Sequence, residues 1–565
     1  MNAPRMPIGV SSFEMLREGG YYYIDKSNFV AEIAESVSAI LLLPRPRRFG
    51  KTLNMTMLQA WYECRPDGSN ATDLFQGLRA ETTEGRHQPH KGKLPVIFLT
   101  FKDIKKASWE ATRSEVAIVV AAEIRRLSPW FQRANLHANS LADLNALSLG
   151  DTTTPLLNQS LKLLTEALHL ASGQRPLLLI DEYDAPIHSA IAHGFFNEAV
   201  EFFRDFLSAG LKDNSHIWKG VLTGILRVSK ENIFSGLNNV TVYSLADRRF
   251  ETCFGLLESE VETLLRDSGV SYSMDEVRSW YNGYLFGRQT IYNPWSVIRY
   301  ASEPEAGLLP HWVNTASNDI VGLAISNSDN ILRAELEDLL AGTEIEKEID
   351  SYITFESNSF RPTDVWSFLL FTGYLKLNRP IENREGKLWG FLSIPNREVR
   401  VAFTQLVEKW CRSKFSSSEN LAVMLSAFLD GNEEVFERHF SRMVRDTLSF
   451  HDVYEEHAES FYHAFVVGLL VNLESTHMVR SNRESGYGRY DVMLIPKNPS
   501  RHAGVVVEFK TVSKKQTPEE ALAAARAQIL EKKYVVELEA HGCKRISQWA
   551  IAFRGKEVFL SVSQN

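Results

Sequence analysis

The chain has 565 residues, of which 44% are hydrophobic, and a formal net charge of −8. Domains of roughly 100 to 200 residues predict a multidomain protein of about three or four units, and the acidic balance means that binding a nucleic acid would need a local basic surface. Four cysteines without CxxC spacing argue against zinc knuckles and a disulfide-stapled exterior, which predicts a protein of the reducing cytoplasm. The longest apolar runs are far shorter than the roughly 18 to 20 residues that span a bilayer, so we expect no membrane insertion.

An apolar strand near the N-terminus runs into a loop that closes on Gly50, Lys51 and Thr52. A strand followed by a loop ending Gly-Lys-Thr presents backbone amides and a lysine to nucleotide phosphates. The usual phosphate loop has another glycine five residues before Gly50, where this chain has Arg45, so the entrance of the loop must differ in conformation. We expect Gly50 and Lys51 to bind the phosphates of ATP, and Arg45, Arg47 and Arg48 to add positive charge there. Thr52 is expected to hold Mg²⁺.

A second apolar strand, Leu177 to Ile180, delivers Asp181 and Glu182. The aspartate is expected to complete the magnesium shell and the glutamate to polarise the attacking water. Thr223, on a later strand, is a candidate sensor of the terminal phosphate. The alternation of strands and helices around these motifs predicts a parallel sheet, so residues 1–253 are expected to form a P-loop ATPase domain.

Two alternatives stay open for this part of the chain. The first is that Gly-Lys-Thr occurs here by chance. The loop, and the acidic residues after the buried strand, would then only stabilise the ends of helices. Arg227 is either a phosphate-sensing cation or a structural arginine.

From residue 254 to 455 the pattern is mostly helical, interrupted by aromatic and Gly/Pro clusters. This pattern predicts a helical lid and connecting region between two α/β domains.

Residues 456–565 return to strands, and three of their side chains suggest a metal-dependent nuclease site. Asp491 lies near the start of one predicted strand, and Glu508 and Lys510 end the next. Strand alternation places Glu508 and Lys510 on one face, and the hairpin can bring Asp491 alongside them. Two carboxylates can hold Mg²⁺, and a lysine can orient its water or neutralise developing charge, which suits cleavage of phosphodiesters.

Glu-x-Lys is a weak signal by itself, because exposed strands often carry such solvated pairs. The valines before Glu508, however, predict a buried strand whose terminal charges need a polar site. Gln528 and Tyr534 are candidates for substrate contact or for packing, and His463 and Glu474 are weaker candidates. From residue 461 onward fifteen Lys or Arg face ten Asp or Glu, a basic excess that predicts contact with nucleic acid, DNA being favoured.

Several motifs together carry a resemblance to a known family. They are Tyr23-Ile24-Asp25-Lys26, the loop from Arg45 to Thr52, Leu179 to Asp184, Tyr281-Asn282-Gly283-Tyr284, and Ser481 to Gly486 leading into Asp491. The chain resembles the bacterial AAA-ATPase-like proteins that carry a C-terminal nuclease-like domain of the PD-(D/E)XK superfamily.

The resemblance implies an αβββαβ restriction-endonuclease-like core around Asp491, Glu508 and Lys510, which match the superfamily's metal and catalytic positions. It also implies that the arginine-rich loop is usual for the family. A homo-oligomer and a setting in mobile-element biology or defence follow by analogy only.

These observations predict an α/β protein with a P-loop ATPase domain, a helical middle region and a nuclease-like C-terminal domain. The expected activity is an ATP-regulated, Mg²⁺-dependent nuclease, in which the nucleotide state alters access to the C-terminal site. The alternative is an ATP-dependent switch or scaffold whose nuclease-like domain binds a nucleic acid or a protein without cutting.

Overall fold

The computed structural model describes residues 4–133, 136–225, 237, 239–312, 335–336, 339, 342–350, 355–356, 359–360, 362–403, 419–447, 466, 469–470, 473, 476–485, 488–513, 516–555 and 557–564. The chain divides into two compact units, Met1–Ile320 with Glu346–Val399, and Val321–Ile345 with Arg400–Asn565. The expected boundaries at residues 253 and 455 stay a prediction.

The first unit mixes helices with short strands. Its helices are α1 Phe13–Glu18, α2 Asn28–Glu35, α3 Lys51–Tyr62, α4 Arg79–Thr82, α5 Trp109–Phe131, α6 Ala138–Ser148, α7 Thr154–Ser172, α8 Ala185–His193, α9 Phe196–Leu211, α10 Glu258–Asp267, α11 Met274–Tyr281, α12 Pro294–Ser302 and a later helix Pro362–Thr372. The strands up to residue 399 are β1 Ile40–Pro44, β2 Val96–Thr100, β3 Leu177–Asp181, β4 Lys219–Gly224, β5 Val240–Val242, β6 Tyr284–Phe286, β7 Gln289–Ile291, β8 Ile345–Glu348, β9 Phe355–Glu356, β10 Ser359–Phe360, β11 Lys376–Leu377, β12 Glu382–Arg384 and β13 Lys387–Ser393.

Strands β1 to β5 form one parallel sheet in the order β2-β3-β4-β1-β5. The central strands β1, β3 and β4 are buried along their whole length, which explains their nearly continuous apolar sequence. In the register, Thr100 pairs with Asp181, and Leu43 pairs with Thr223. The carboxyl ends of the strands therefore meet at one edge, where open parallel sheets bind their ligands. The predicted parallel α/β architecture is confirmed.

The region after residue 254 contains helices, as predicted, and also short antiparallel strands. Helices α10, α11 and α12 share an apolar core that includes Leu264, Tyr281 and Val297. Strands β6 and β7 form a hairpin, and β13 pairs with β8, β11 and β12. Glu385 and Gly386 both have positive φ, which is the geometry of a tight two-residue hairpin turn between β12 and β13.

The second unit is built on a five-stranded sheet. Its strands are β14 His477–Ser485, β15 Gly488–Pro496, β16 Gly504–Thr511, β17 Ile546–Arg554 and β18 Glu557–Gln564, and its described helices are Glu419–Asp430, Glu433–Thr447, Pro518–Glu531 and Val535–Ala540. The strand order is β14-β15-β16-β17-β18, with only β16 and β17 parallel. The predicted core consists of strands β14, β15 and β16, the helix Pro518–Glu531 and the parallel strand β17. Strand β18 is an addition to this core. The first helix of the implied αβββαβ core is expected at about residues 459–473, which lie mostly outside the described residues.

Aromatic side chains attach a helix pair to this sheet. The Phe428 ring stacks on Trp549 with centroids 5.2 Å apart, and Phe436 meets Trp549 edge-on at 4.9 Å. The Trp549 indole also donates to the Phe428 carbonyl at 3.1 Å. Helices Glu419–Asp430 and Glu433–Thr447 thus belong to the packed core of this unit. In the part of the chain that the structure describes, no helix is both long and apolar enough to cross a bilayer.

Candidate functional sites

The phosphate loop lies between β1 and α3. Gly50 caps α3 in the left-handed conformation, with φ of 82°, where a side chain would be strained. Arg45 has no positive φ, and its amide donates to the Gly224 carbonyl at 3.0 Å, which continues the strand pairing. The missing first glycine therefore has a structural explanation, because position 45 does not adopt the left-handed conformation that favours glycine.

The Arg45 guanidinium is fully buried and serves the fold. It donates to the carbonyl oxygens of Tyr243 at 2.7 Å and Pro44 at 2.8 Å. Burial lowers its pKa to about 10. Arg45 thus anchors the loop to the segment after β5 instead of facing a ligand.

Lys51 folds back over its own loop. Its Nζ donates to the carbonyl oxygens of Arg45 and Pro46, each at 3.1 Å. Burial lowers the pKa of Lys51, and the nearby carboxylates of Glu182 and Asp181 oppose that shift. A buried ammonium beside the amino end of α3 supplies the charge that an anion would need at this position.

Asp181 is the centre of a hydroxyl cluster at the carboxyl edge of the sheet. Thr52 Oγ1 donates to its Oδ2 at 2.7 Å, and Thr223 Oγ1 donates to its Oδ1 at 2.6 Å. Thr100 Oγ1 lies 3.4 Å from Oδ2. The structure thus brings together the predicted residues Thr52, Asp181 and Thr223. Thr100 was missed, although a polar residue ending a predicted neighbouring strand was a usable signal.

Glu182 follows directly after β3 in an unusual backbone conformation. Its φ is 51°, which is strained for a residue with a side chain, and the next amide, of Tyr183, donates to the Thr223 carbonyl at 3.0 Å. Burial raises the pKa of Glu182, while the Lys51 charge opposes that rise. The predicted pair of Lys51 and Glu182 is therefore close enough to interact electrostatically.

Two further charged residues lie near this edge, Asp184 and Arg47, and both belong to the motifs that carry the family resemblance. Asp184 Oδ2 accepts from the Ile225 amide at 2.8 Å and lies 3.5 Å from His188 Nε2. A Cβ at Gly224 would come 2.7 Å from Asp184 Oδ1, so only glycine lets the loop after β3 close on β4. Burial lowers the pKa of Arg47, and the carboxylates of Glu182 and Asp184 raise it. These contacts join three loops that are far apart in the sequence, so no local sequence pattern predicts them.

Arg48 has a different environment from that of Lys51. Its Nη1 donates to the His311 carbonyl at 2.9 Å, and its guanidinium lies 4.1 Å from the centre of the Trp295 ring. Burial lowers its pKa to about 10, and the Glu398 charge opposes that shift. A role for Arg48 in binding phosphate stays a prediction, and Arg227 lies outside the described residues.

The second candidate site lies on β15 and β16. Val492 pairs with Val507, which sets Asp491 beside Glu508 across the two strands. Asp491 Oδ2 accepts from the Phe509 amide at 2.8 Å, and Lys510 Nζ lies 3.1 Å from Glu508 Oε1. Glu508 is only 1% exposed. The structure thus brings Asp491, Glu508 and Lys510 together, as the strand alternation predicts.

The charges of these three side chains act on Tyr534. Burial raises the pKa of its phenol, which accepts a 3.2 Å hydrogen bond from Gln528. The Glu508 and Asp491 carboxylates raise this pKa further, and the Lys510 charge lowers it.

Other predicted residues of this domain have different outcomes. Arg480 forms a 2.5 Å ion pair with Glu537, so its charge is already neutralised. His463 and Glu474 lie outside the described residues. The described residues contain no cluster of three or more His, Cys, Asp or Glu side chains arranged to hold a metal. Two carboxylates nonetheless fit Mg²⁺, which usually binds proteins through one or two carboxylates and retained water.

Comparison with known proteins supports the two-part organisation. Residues 7–234 match the family model of the predicted AAA-ATPases, and residues 457–562 match that of the PD-(D/E)XK nuclease superfamily. A relative, the uncharacterized protein in the vnfD 5' region of Azotobacter chroococcum mcd 1, is 27% identical over 321 residues. That match covers 56% of this chain and 55% of the relative, so the chain spans about half the length of that protein.

Among solved structures, the Walker-type ATPase PABY2304 of Pyrococcus abyssi shares 12% identity over 68% of this chain and 97% of its own, with a TM-score of 0.34. A score this low supports no conclusion about function. The family models and the sheet-edge geometry agree with each other. The chain therefore joins an AAA-ATPase-like domain to a domain of the PD-(D/E)XK nuclease superfamily.

Proposed function

We propose that this protein binds and hydrolyses ATP and carries a Mg²⁺-dependent nuclease site that cleaves nucleic-acid phosphodiesters. The observation that carries the proposal is the approach of Asp491, Glu508 and Lys510 on two neighbouring strands, with Glu508 and Lys510 3.1 Å apart. Burying a carboxylate is costly unless it is paired or binds a cation, so this cluster is better suited to a functional site than to a surface pair.

At the N-terminal site, Gly50 and Lys51 would bind the phosphates. Thr52 and Asp181 would hold Mg²⁺, because a hydroxyl and a carboxylate, 2.7 Å apart here, are the hard oxygen donors that this ion prefers. Glu182 would orient the attacking water, and its raised pKa suits a group that accepts a proton. Thr223 would report the terminal phosphate to Asp181 through their 2.6 Å hydrogen bond.

At the C-terminal site, Asp491 and Glu508 would hold Mg²⁺. The ion would lower the pKa of a bound water and stabilise charge on the phosphate. Lys510, held beside Glu508, would orient the water or neutralise the developing negative charge. The basic excess of this domain favours a nucleic acid as the partner, and we propose DNA, with RNA as the alternative.

The finer parts of the proposal are control of cleavage by the nucleotide state, assembly into a homo-oligomer, a cytoplasmic location and a role in mobile-element defence. They rest on the coexistence of the two domains in one chain and on analogy.

The test is a cleavage assay on labelled DNA and RNA with Mg²⁺, with and without ATP. We expect wild-type protein to cut and a Glu508→Ala variant to be inactive while still hydrolysing ATP. A Glu508→Ala variant that cuts as well as wild type would remove the nuclease function. Metal binding through Asp491 and Glu508 without cleavage of either nucleic acid would favour the switch or scaffold.

A further inference from the structure

Two loops meet at the edge of the second unit's sheet where β16 and β17 begin. The first, residues 497–503, joins β15 to β16, and the second, residues 541–545, lies directly before β17. They come together because β16 and β17 are parallel, with Gly504 paired with Ile546. We call these two segments the basic loops.

Hydrogen bonds hold the basic loops in a defined shape. The Gly504 amide donates to the Arg545 carbonyl at 2.9 Å, and Arg545 Nη2 donates to the Arg501 carbonyl at 2.8 Å. Within the first loop, the Arg501 amide donates to the Asn498 carbonyl at 3.1 Å, and the Ser500 amide donates to Asn498 Oδ1 at 3.2 Å. The two loops therefore form one continuous surface.

The charge of this surface is positive and unbalanced. Its twelve residues contain no Asp or Glu and four exposed cations, Lys497, Arg501, Lys544 and Arg545. Among the described residues none of the four forms an ion pair, unlike Arg480, which pairs with Glu537. In a chain with a net charge of −8, the basic loops are thus a local concentration of cations.

Cations without interspersed acids fit a polyanion. Duplex DNA carries one negative charge per roughly 1.7 Å of its axis, and a protein that neutralises these phosphates gains free energy from the release of counterions. Such contacts fix the position of the duplex without reading its sequence. A surface of four cations spread over two loops is suited to several phosphates in a row.

The basic loops and the proposed nuclease site lie on one face of the sheet. Cys543, in the second loop, packs in the same apolar cluster as Val506, and Val506 and Glu508 share a face of β16 because they are two residues apart. Four residues of strand separate Gly504 from Glu508, which is about 13 Å at roughly 3.3 Å per residue. This distance corresponds to about four base pairs of a duplex.

We propose that the basic loops bind the phosphate backbone of duplex DNA and hold the duplex across the face that carries Asp491 and Glu508. The inference rests on the proposed nuclease function and adds the surface that positions its substrate. Phosphates about four base pairs from the cleaved bond reach the loops, so one duplex engages both parts of this face.

The test is a triple variant with Lys497→Ala, Arg501→Ala and Lys544→Ala. Arg545 is kept, because its guanidinium holds the Arg501 carbonyl. In fluorescence anisotropy without divalent metal, the variant should bind a labelled duplex of about 30 base pairs with a Kd raised at least about tenfold. The slope of log K against log salt should become shallower by about 2 to 3, because three phosphate contacts are lost. In cleavage with Mg²⁺ the KM should rise by a similar factor and kcat should change little, since these side chains do not touch the reacting atoms.

The matched control removes three charges from the opposite face of the sheet. Arg438, Arg442 and Arg445 are exposed on the helix Glu433–Thr447, which packs against Trp549 through Phe436. Replacing all three by Ala should leave the Kd and the salt slope nearly unchanged. Lys544→Glu, a single change at an exposed position, gives the same test where the triple variant does not fold, and it should raise the Kd about fivefold.

A basic-loop variant that binds the duplex like wild type would overturn the inference, and so would an equal loss of affinity in the control. Cleavage of DNA by the wild type would survive either result, so the nuclease function would stand without this surface. Wild-type protein that binds the duplex through the basic loops and does not cut it would instead remove the nuclease function and keep the binding surface. Wild-type protein that neither binds nor cuts the duplex would remove both.

Discussion

The two acidic sites of this chain are built in different ways. Asp181 ends a parallel strand, and its oxygens accept hydrogen bonds from Thr52 and Thr223, which lie on a helix and on another strand. Asp491 and Glu508 instead lie side by side on two antiparallel strands, and the charge opposite Glu508 comes from Lys510 on the same strand. The first site depends on the topology of a whole sheet, whereas the second is encoded almost entirely in one strand pair.

This difference predicts that substitutions at the two sites separate cleanly. Replacing a carboxylate in the strand pair should lower cleavage and leave ATP hydrolysis unchanged. Replacing a group at the sheet edge should change the binding or hydrolysis of ATP and leave cleavage measured without ATP unchanged.

The largest effect is expected from Glu508→Gln. Removing this charge should lower the rate of DNA cleavage at least about 100-fold, because a cation ligand is lost and Lys510 loses its partner. A gel assay of a labelled duplex measures this, with Glu539→Gln, an exposed glutamate of the same unit, as the matched control. If Glu508→Gln also lowered the rate of ATP hydrolysis, the two sites would not be independent.

The next effect concerns Glu182. Glu182→Gln keeps the size of the side chain but cannot accept a proton, so kcat for ATP hydrolysis should fall about 100-fold. Affinity for ATP should change little, since the phosphate ligands remain. Phosphate release and calorimetry measure the two quantities, and an unchanged kcat would count against Glu182 as the water-orienting residue.

Lys51→Ala should act on binding. Loss of this buried ammonium should raise the Kd for ATP about 30-fold or more, as removal of a charged hydrogen-bonding partner typically does. Lys102→Ala, at an exposed position before α5, is the control with the same chemical change. DNA cleavage without ATP should be equal in both variants, and an unchanged Kd in Lys51→Ala would exclude the loop as the phosphate site.

The smallest effect is a pH dependence of stability. Burial raises the pKa of Glu398 to about 7 from 4.5, and its carboxyl group accepts hydrogen bonds from Ser296 and the Trp312 amide. The folded state therefore holds this proton more tightly than the unfolded state does. Glu398 stabilises the folded state fully below its ordinary pKa of 4.5, and this stabilisation is lost as the pH rises through about 7.

Between pH 6 and pH 8 the loss amounts to about 1 kcal/mol. Urea unfolding of wild type and Glu398→Gln at these two pH values measures it. The variant should show a flatter dependence, and identical slopes would contradict the assignment to Glu398.

Much of both sites could be predicted from sequence because local rules place their residues. Gly-Lys-Thr fixes a helix start, strand alternation puts Glu508 and Lys510 on one face, and aligned strand ends bring Thr223 to Asp181. The nuclease-like core of three strands, a helix and a fourth strand followed from the resemblance.

The rest depends on contacts between distant segments. Arg45 has no positive φ, and its buried guanidinium donates to the Tyr243 carbonyl, so its departure from the usual glycine could not be explained from the loop alone. Arg48 meets the His311 carbonyl across 263 positions. Strand β18 was missed although its inner half alternates between buried and less buried residues, because its polar end obscures the pattern.

The most direct test of the account is calorimetric titration of Mn²⁺ into the full chain without nucleotide, where only the C-terminal carboxylates are expected to bind it. The account predicts a binding event in wild type and in Thr52→Ala that disappears in Asp491→Asn and in Glu508→Gln. Undiminished Mn²⁺ binding in both C-terminal variants would contradict a metal site on β15 and β16.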